Sequence, residues 1–307
     1  MASESLTEGM QDRGSTDSPR KEQLLDLAQR FRGNTKAMIG LIIVMILVAT
    51  AIVAPLAIPD EKTKGVNVDQ RFSPPSPSHP FGTDNLGRDL MSRILVGARI
   101  SIYVGTLSIG IASLLGIPIG SVAGYVGGNL DEGLMRSMDV LMSFPPILFA
   151  LLITAVLGPN LTNTLIALGI VYTPYFARVT RSEVISVSQK NFVEAARSTG
   201  EKEQTILFTE VLPNSVAPII VQASVSMAYA ILAAAALSFL GLGAQPPKPA
   251  WGLMINSAKQ YLDQAPWMAI FPGLAIGFTV MGFNLLGDGI RDVLDPEMKT
   301  EVVTEDE

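Results

Sequence analysis

The side chains able to do chemistry are concentrated in two stretches. The first holds His79, Asp84, Arg88, Asp89, Arg93 and Arg99; the second holds Glu194, Ala195, Ala196 and Gly200. Neither has the makings of a catalytic centre. The chain has no cysteine, which excludes disulfide frameworks, Cys-ligated zinc, iron–sulfur clusters and thiol catalysis. His79 is the single histidine, so a histidine metal cluster is excluded and a nucleophilic triad would rest on that one residue. No Gly-x-x-x-x-Gly-Lys-Ser/Thr segment occurs, so no phosphate-cradling loop for ATP is encoded. The run Leu286-Gly287-Asp288-Gly289 has an aspartyl-protease look, but it lacks the preceding glycine and an embedded partner acid. We therefore expect no catalytic residue, cofactor or metal, and no role for His79 as a ligand.

The elements that must position these stretches are apolar. Charged residues make up 16% of the 307, against roughly 25% in soluble domains, and the mean hydropathy is +0.37. Six blocks approach the ~20 apolar residues that a bilayer core demands: about 37–58, 100–125, 140–157, 161–177, 216–242 and 268–287. The expected fold is all-α, a polytopic membrane protein of six transmembrane helices with helices in the loop between the fourth and fifth. Lys and Arg precede the first block and fill the fourth-to-fifth loop (Arg178, Arg181, Lys190, Arg197, Lys202), which predicts cytosolic N- and C-termini. No cleavable signal peptide is expected. The interiors of the blocks carry no ionisable residue, which counts against an ion-coupled carrier, whose coupling device is a buried charge. The net charge of −6 argues against a nucleic-acid partner.

Within the blocks, Gly116, Gly120 and Gly124 share one helical face, and Gly273 and Gly277 offer another, so close helix packing is expected at both. Pro118, Pro146, Pro174, Pro218 and Pro272 are expected to bend or end helices. Trp251 and Trp267 read as bilayer-interface anchors. Residues 1–22 read as a disordered tail, followed by a short amphipathic stretch over 24–31. The resulting organisation is a tail (1–35), a first span with an external loop (36–98), a core (99–290) and an acidic tail (291–307).

In the fourth-to-fifth loop, apolar residues from Val184 to Ala196 recur at helical spacing. Gly200 permits a sharp stop, and a second short helix over 203–211 leads to Pro213. By pattern alone this is equally an interfacial helix or a surface into which another protein docks.

At this point the residues become recognisable. Glu194-Ala195-Ala196, then Gly200, then Leu212-Pro213 resembles the EAA loop of permeases of ATP-binding-cassette importers. The run from His79 to Asp89, with Gly82, Thr83, Asp84, Gly87, Arg88 and Asp89, followed by Arg93 and Arg99, is similar to the segment before the second span in the dipeptide/oligopeptide/nickel permeases. Ser238-Phe239-Leu240-Gly241-Leu242-Gly243 and Asn284-Leu285-Leu286-Gly287-Asp288-Gly289 match the same family, so the resemblance covers about residues 79–296. The Gly-Thr-Asp block and short C-terminus resemble the C-type member of a permease pair. Glu210 departs from the pattern, standing where the family usually has an apolar or basic residue.

The resemblance implies a non-catalytic plasma-membrane permease subunit paired with a second homologous permease. Two ATPase subunits and an external solute-binding protein would complete the machine. It implies half of a translocation pathway for di- or oligopeptides, with nickel complexes or oligosaccharides as alternative cargo, and Glu194, Ala195, Ala196 and Gly200 as the ATPase-coupling site. Arg88, Asp89, Arg93 and Arg99 are read as an ion-paired helix at the outer interface in preference to a substrate-contacting surface. A self-sufficient carrier or a membrane-embedded enzyme would need mid-membrane charges or catalytic groups that the chain lacks.

Overall fold

The computed structural model describes residues 27–294; the predicted disordered tail (1–22) and most of the acidic tail lie outside them. Every regular element among the described residues is helical. Residues 27–33 are helical, then Asn34 caps α1 (Thr35–Ala57) by accepting a hydrogen bond from the Ala37 N–H at 3.0 Å. A loop over 58–89, with short helical turns at Asp60–Lys64 and Val68–Gln70, leads into α2 (Leu90–Val126), α3 (Gly128–Met142), α4 (Pro146–Leu157) and α5 (Leu161–Ser188). Next come α6 (Asn191–Ser198), three consecutive helical pieces over 203–214, α7 (Val216–Phe239), α8 (Trp251–Ala258) and α9 (Trp267–Leu294).

Among the described residues, four helices are long and apolar enough to cross a membrane: α1, α2, α7 and α9. The third predicted span is not a straight helix. α3 and α4 meet at 86°, and the pair makes a fifth span only as one broken element. Adjacent Pro145 and Pro146 cause the break. Neither has an N–H to donate, and a proline disfavours helical conformation in the residue before it. The fourth predicted span, 161–177, is part of a longer helix that continues to Ser188. At 28 residues α5 reaches about 42 Å. It is less apolar than the other long helices because its C-terminal part carries Arg178, Arg181 and Glu183, while its N-terminal part packs inside the bundle. Leu165, Leu168, Phe176 and Ala177 are buried, as are Thr164, Thr173 and Thr180.

Of the expected bend or end, Pro118, Pro174 and Pro272 do not end their helices, lying within α2, α5 and α9, which continue past them; Pro146 and Pro218 stand in the first turns of α4 and α7. The glycine face of α2 is a true seam. A Cβ at Gly120 would stand 2.3 Å from the Ala177 carbonyl oxygen, and one at Gly116 would stand 2.6 Å from that of Thr173. The expected seam at Gly273 and Gly277 is absent, since nothing lies within 4 Å of either position. Instead α1 and α9 approach through Gly40, Gly282 and Gly289, where an added Cβ would meet Leu286, Ile43 and Ala37 at 2.3–2.5 Å.

Candidate functional site: the loop between α5 and α7

The buried anchor of this loop is aliphatic. Val184 and Val187 at the end of α5 pack with Val193 of α6 and with Ile206 and Val211 beyond it, all 2% exposed or less. Tyr125, at the end of α2, lies against the same cluster. Residues 184–188 thus belong to α5, and the α6 helix itself is only Asn191–Ser198. With Val193 turned inward, Phe192, Glu194 and Ala195 of α6 face solvent, and Ala196 is half-buried.

Gly200 ends α6 as the spacing predicts. Its φ of +82° lies in the left-handed region, its N–H donates to the Arg197 carbonyl at 3.0 Å, and the Glu201 N–H reaches back to the Ala196 carbonyl at 3.3 Å. This reciprocal pair is the Schellman closure, which favours glycine for its backbone freedom. Open space surrounds the position, so conformation alone selects the residue from within this chain. The chain then runs through Glu203–Ile206, a π-helical turn at Leu207–Val211 and Leu212–Asn214 into α7. Glu210, the departure from the family pattern, falls inside the π turn, where its carbonyl accepts from the Asn214 amide at 2.6 Å. Leu212 is half-buried and Pro213 exposed.

Sequence reasoning missed the polar contacts that surround this loop. The Tyr125 hydroxyl donates to the Glu203 carboxylate, and Arg197 Nε pairs with Glu203 at 3.3 Å while its guanidinium lies 5.9 Å from the Tyr125 ring centre. Alongside, α3 is tied to α5 by a two-point Arg181–Asp131 pair at 2.5 and 2.6 Å, and by Arg178–Asp139 at 2.5 Å. No periodicity links these residues; only the packing of α2, α3 and α5 brings them together.

The second candidate stretch is a structural clasp at the opposite end of α2. Asp84, 4% exposed, accepts the N–H groups of Leu86 and Arg88 at 2.8 and 3.0 Å and the Arg88 guanidinium at 2.7 Å. Arg93 is 3% exposed, lies 3.7 Å from Asp84 and donates to the Thr63 carbonyl. Thr83 is fully buried and bridges Ser73 and Gln70. Asp89 caps α2 through the Ser92 N–H at 2.8 Å and faces His79 Nδ1 at 3.0 Å. Burial raises the Asp89 pKa, but hydrogen bonds from Ser92 and His79 outweigh it and hold the carboxyl below its ordinary value. Gly82 and Gly87 have positive φ, and a Cβ at Gly87 would stand 1.8 Å from the Asn67 carbonyl oxygen.

The ion-paired reading therefore describes Arg88 and Arg93, both facing Asp84, while Asp89 is hydrogen-bonded to His79, and Arg99 is exposed and forms no ion pair among the described residues. Nor are the four on a helix before the second span. Arg88 and Asp89 precede α2, while Arg93 and Arg99 lie within it. Trp251 and Trp267 are likewise internal ties rather than membrane anchors. The Trp251 indole N–H donates to the Ile94 carbonyl at 2.9 Å, and that of Trp267 donates to the Thr83 carbonyl at 3.1 Å. Beside the clasp lies a cleft of about 730 Å³ bordered by Glu61, Lys62, Gln70, His79 and Met91. Among the described residues no three His, Asp or Glu side chains are placed to hold a metal.

Comparison with known proteins joins the two stretches in one family. The binding-protein-dependent transport system inner membrane component matches residues 116–300, and the N-terminal TM domain of oligopeptide transport permease C matches residues 23–75. The dipeptide transport system permease protein DppC of Alkalihalophilus pseudofirmus is 45% identical over 290 residues, covering 94% of each chain. The glutathione transport system permease protein GsiD of Pectobacterium atrosepticum is 43% identical, over 89% of this chain and 90% of that one. In fold, the chain is similar to inward-facing MetNI methionine ABC transporter structures, with a TM-score of 0.56 over 67% of this chain and 98% of the other at 16% identity. The chain belongs to the family of binding-protein-dependent inner membrane components, the permeases of ATP-binding-cassette importers.

Proposed function

We propose that this chain is the C-type half of a heterodimeric peptide importer and that α6 is its ATPase-coupling helix. The observation that carries the reading is mechanical. α6 presents Glu194 and Ala195 outward, is held by an aliphatic anchor and a glycine stop, and is joined to α5 by two residues and to α7 through the helical pieces over 203–214. A short helix so fixed acts as a stiff lever. A push from an ATPase subunit closing on ATP is passed to two helices of the bundle, turning the pore between outward- and inward-facing arrangements.

In this reading α5 is a sixth crossing and α3–α4 one broken crossing. Both termini and the loop then lie in the cytosol, on the inner side of the plasma membrane. ATP hydrolysis belongs to two separate ATPase subunits, and an external solute-binding protein delivers substrate to a pathway shared with a second permease. Peptides are the proposed cargo because the relatives bear the names of dipeptide, glutathione and peptide permeases.

Reconstituted with its partners in vesicles, Glu194→Lys is expected to abolish ATP-driven uptake while the subunit still inserts. Normal uptake by that variant would overturn the coupling assignment. A thermal-shift panel on the cognate binding protein fixes the cargo. A peptide at ~100 times its dissociation constant should stabilise it by about 2.7 kcal/mol, whereas a shift with only sugars or nickel chelates would replace peptides and leave the machine intact.

A further inference from the structure

The lever has a third attachment. Besides its chain connections to α5 and α7, the loop is held by a side-chain contact to α2, an element far from it in sequence. Tyr125 stands on the last turn of α2, two residues before the Gly127 cap. Its ring packs on the aliphatic cluster beneath α6, its hydroxyl reaches Glu203 at the start of the segment after α6, and Glu203 also holds Arg197 from the last turn of α6. Three chain segments therefore meet at one polar cluster. The same α2 is locked to α5 along the Gly116–Gly120–Gly124 seam, where an added Cβ would lie 2.3–2.7 Å from carbonyl oxygens of α5.

We propose that Tyr125, Arg197 and Glu203 form a clasp that makes the end of α2 move with the coupling loop, so that α2, α5 and α6 turn as one body when the lever is pushed. Tyr125 is here a positioning residue for transport: it touches no substrate and acts through Glu203 and Arg197. The proposal rests on α6 being the coupling helix. Without the clasp, α6 would be held by the Gln189-Lys190 link to α5, by the longer run to α7 and by its aliphatic anchor, which resists separation but has no directional bond to stop α6 from sliding along α2. The hydroxyl-to-carboxylate contact and the ion pair supply that direction. The Tyr125 hydrogen bond, with Arg197 adding to it, holds the Glu203 carboxyl below its ordinary range, so the acceptor is ionised at neutral pH.

The absence of cysteine makes a direct test available, because an introduced pair is the only labelling site on this chain. Val122→Cys on the exposed side of α2 and Glu201→Cys just past the glycine stop would carry spin labels in the assembled transporter. Its partner subunits would be stripped of reactive cysteines. The expected result is one narrow 122–201 distance, the same without nucleotide and in the ATP–vanadate-trapped state. With Tyr125→Phe added, a broader distribution is expected, with a shifted distance on trapping. Should Tyr125→Phe fail to assemble, Glu203→Ala removes the acceptor of the same contact from the exposed side and is expected to give the same broadening.

A distance that changes on trapping in the unmodified background, or one that stays narrow and fixed in both variants, would overturn the clasp. Failure of the coupling reading is seen separately: Glu194→Lys would then leave ATPase copurification and uptake as they were, whatever the 122–201 distance does.

Discussion

Substitution of Gly200 separates what this position does inside the chain from what it does toward a partner. The residue sits at φ +82°, and no atom lies within 4 Å of where a Cβ would stand, so alanine meets no clash and bears only the left-handed penalty, about 1–2 kcal/mol. Against that stand the side chains anchoring the loop. Val193, Ile206 and Val211 are fully buried, and burial of such a side chain stabilises by about 1.5–3 kcal/mol each. The anchor outweighs the strain, so Gly200→Ala should keep α6 folded and lower ATP-driven uptake by no more than about thirtyfold, the factor equivalent to the upper end of the strain at about 1.4 kcal/mol per tenfold.

Aspartate tolerates left-handed backbone at least as well as alanine. Gly200→Asp should therefore also leave the loop folded, yet abolish uptake, because it places a carboxylate on the face proposed here to meet the ATPase. The assay is uptake in reconstituted vesicles beside limited proteolysis of the loop. Two results refute the reasoning: an alanine variant whose loop is cleaved at residues 199–202 like an unfolded chain, and an aspartate variant that transports as well as the alanine one.

Two further outcomes follow from the packing. Gly120→Ala drives a Cβ into the Ala177 carbonyl and should cost about 1–3 kcal/mol as overpacking, whereas Gly273→Ala, in open space, should be neutral or add up to about 1 kcal/mol of helix stability; melting of the purified protein distinguishes them. At the clasp before α2, the Asp89 carboxyl is held below its ordinary 3.8, so its contribution is complete above about pH 4 and is lost as pH falls through the lower folded value. Protease cleavage of the 58–89 loop should accordingly rise only below about pH 4, and Asp89→Asn should be cleaved more readily at neutral pH with that acid step gone.

Much of the architecture was legible because the responsible physics is local. A bilayer needs long apolar runs, and the blocks of α1, α2, α7 and α9 showed them. A left-handed stop needs glycine, and Gly200 marked the end of α6. The motif blocks around Asp84 and Glu194 identified the family before any packing was known. Local signals misled wherever a neighbour decides the outcome. Pro145 and Pro146 broke the third block into two arms, while the inner prolines of α2, α5 and α9 did not stop helices supported on several sides by the bundle. Glycines of equal promise differed because only Gly116, Gly120 and Gly124 face another helix; Gly273 and Gly277 do not. The two tryptophans suggest the membrane surface by type, yet each indole N–H is taken by a carbonyl far along the chain. The link from Tyr125 to Glu203 spans 78 residues and has no sequence period, so only the tertiary fold, by laying α2 along α5 as far as the loop, brought those two side chains within reach.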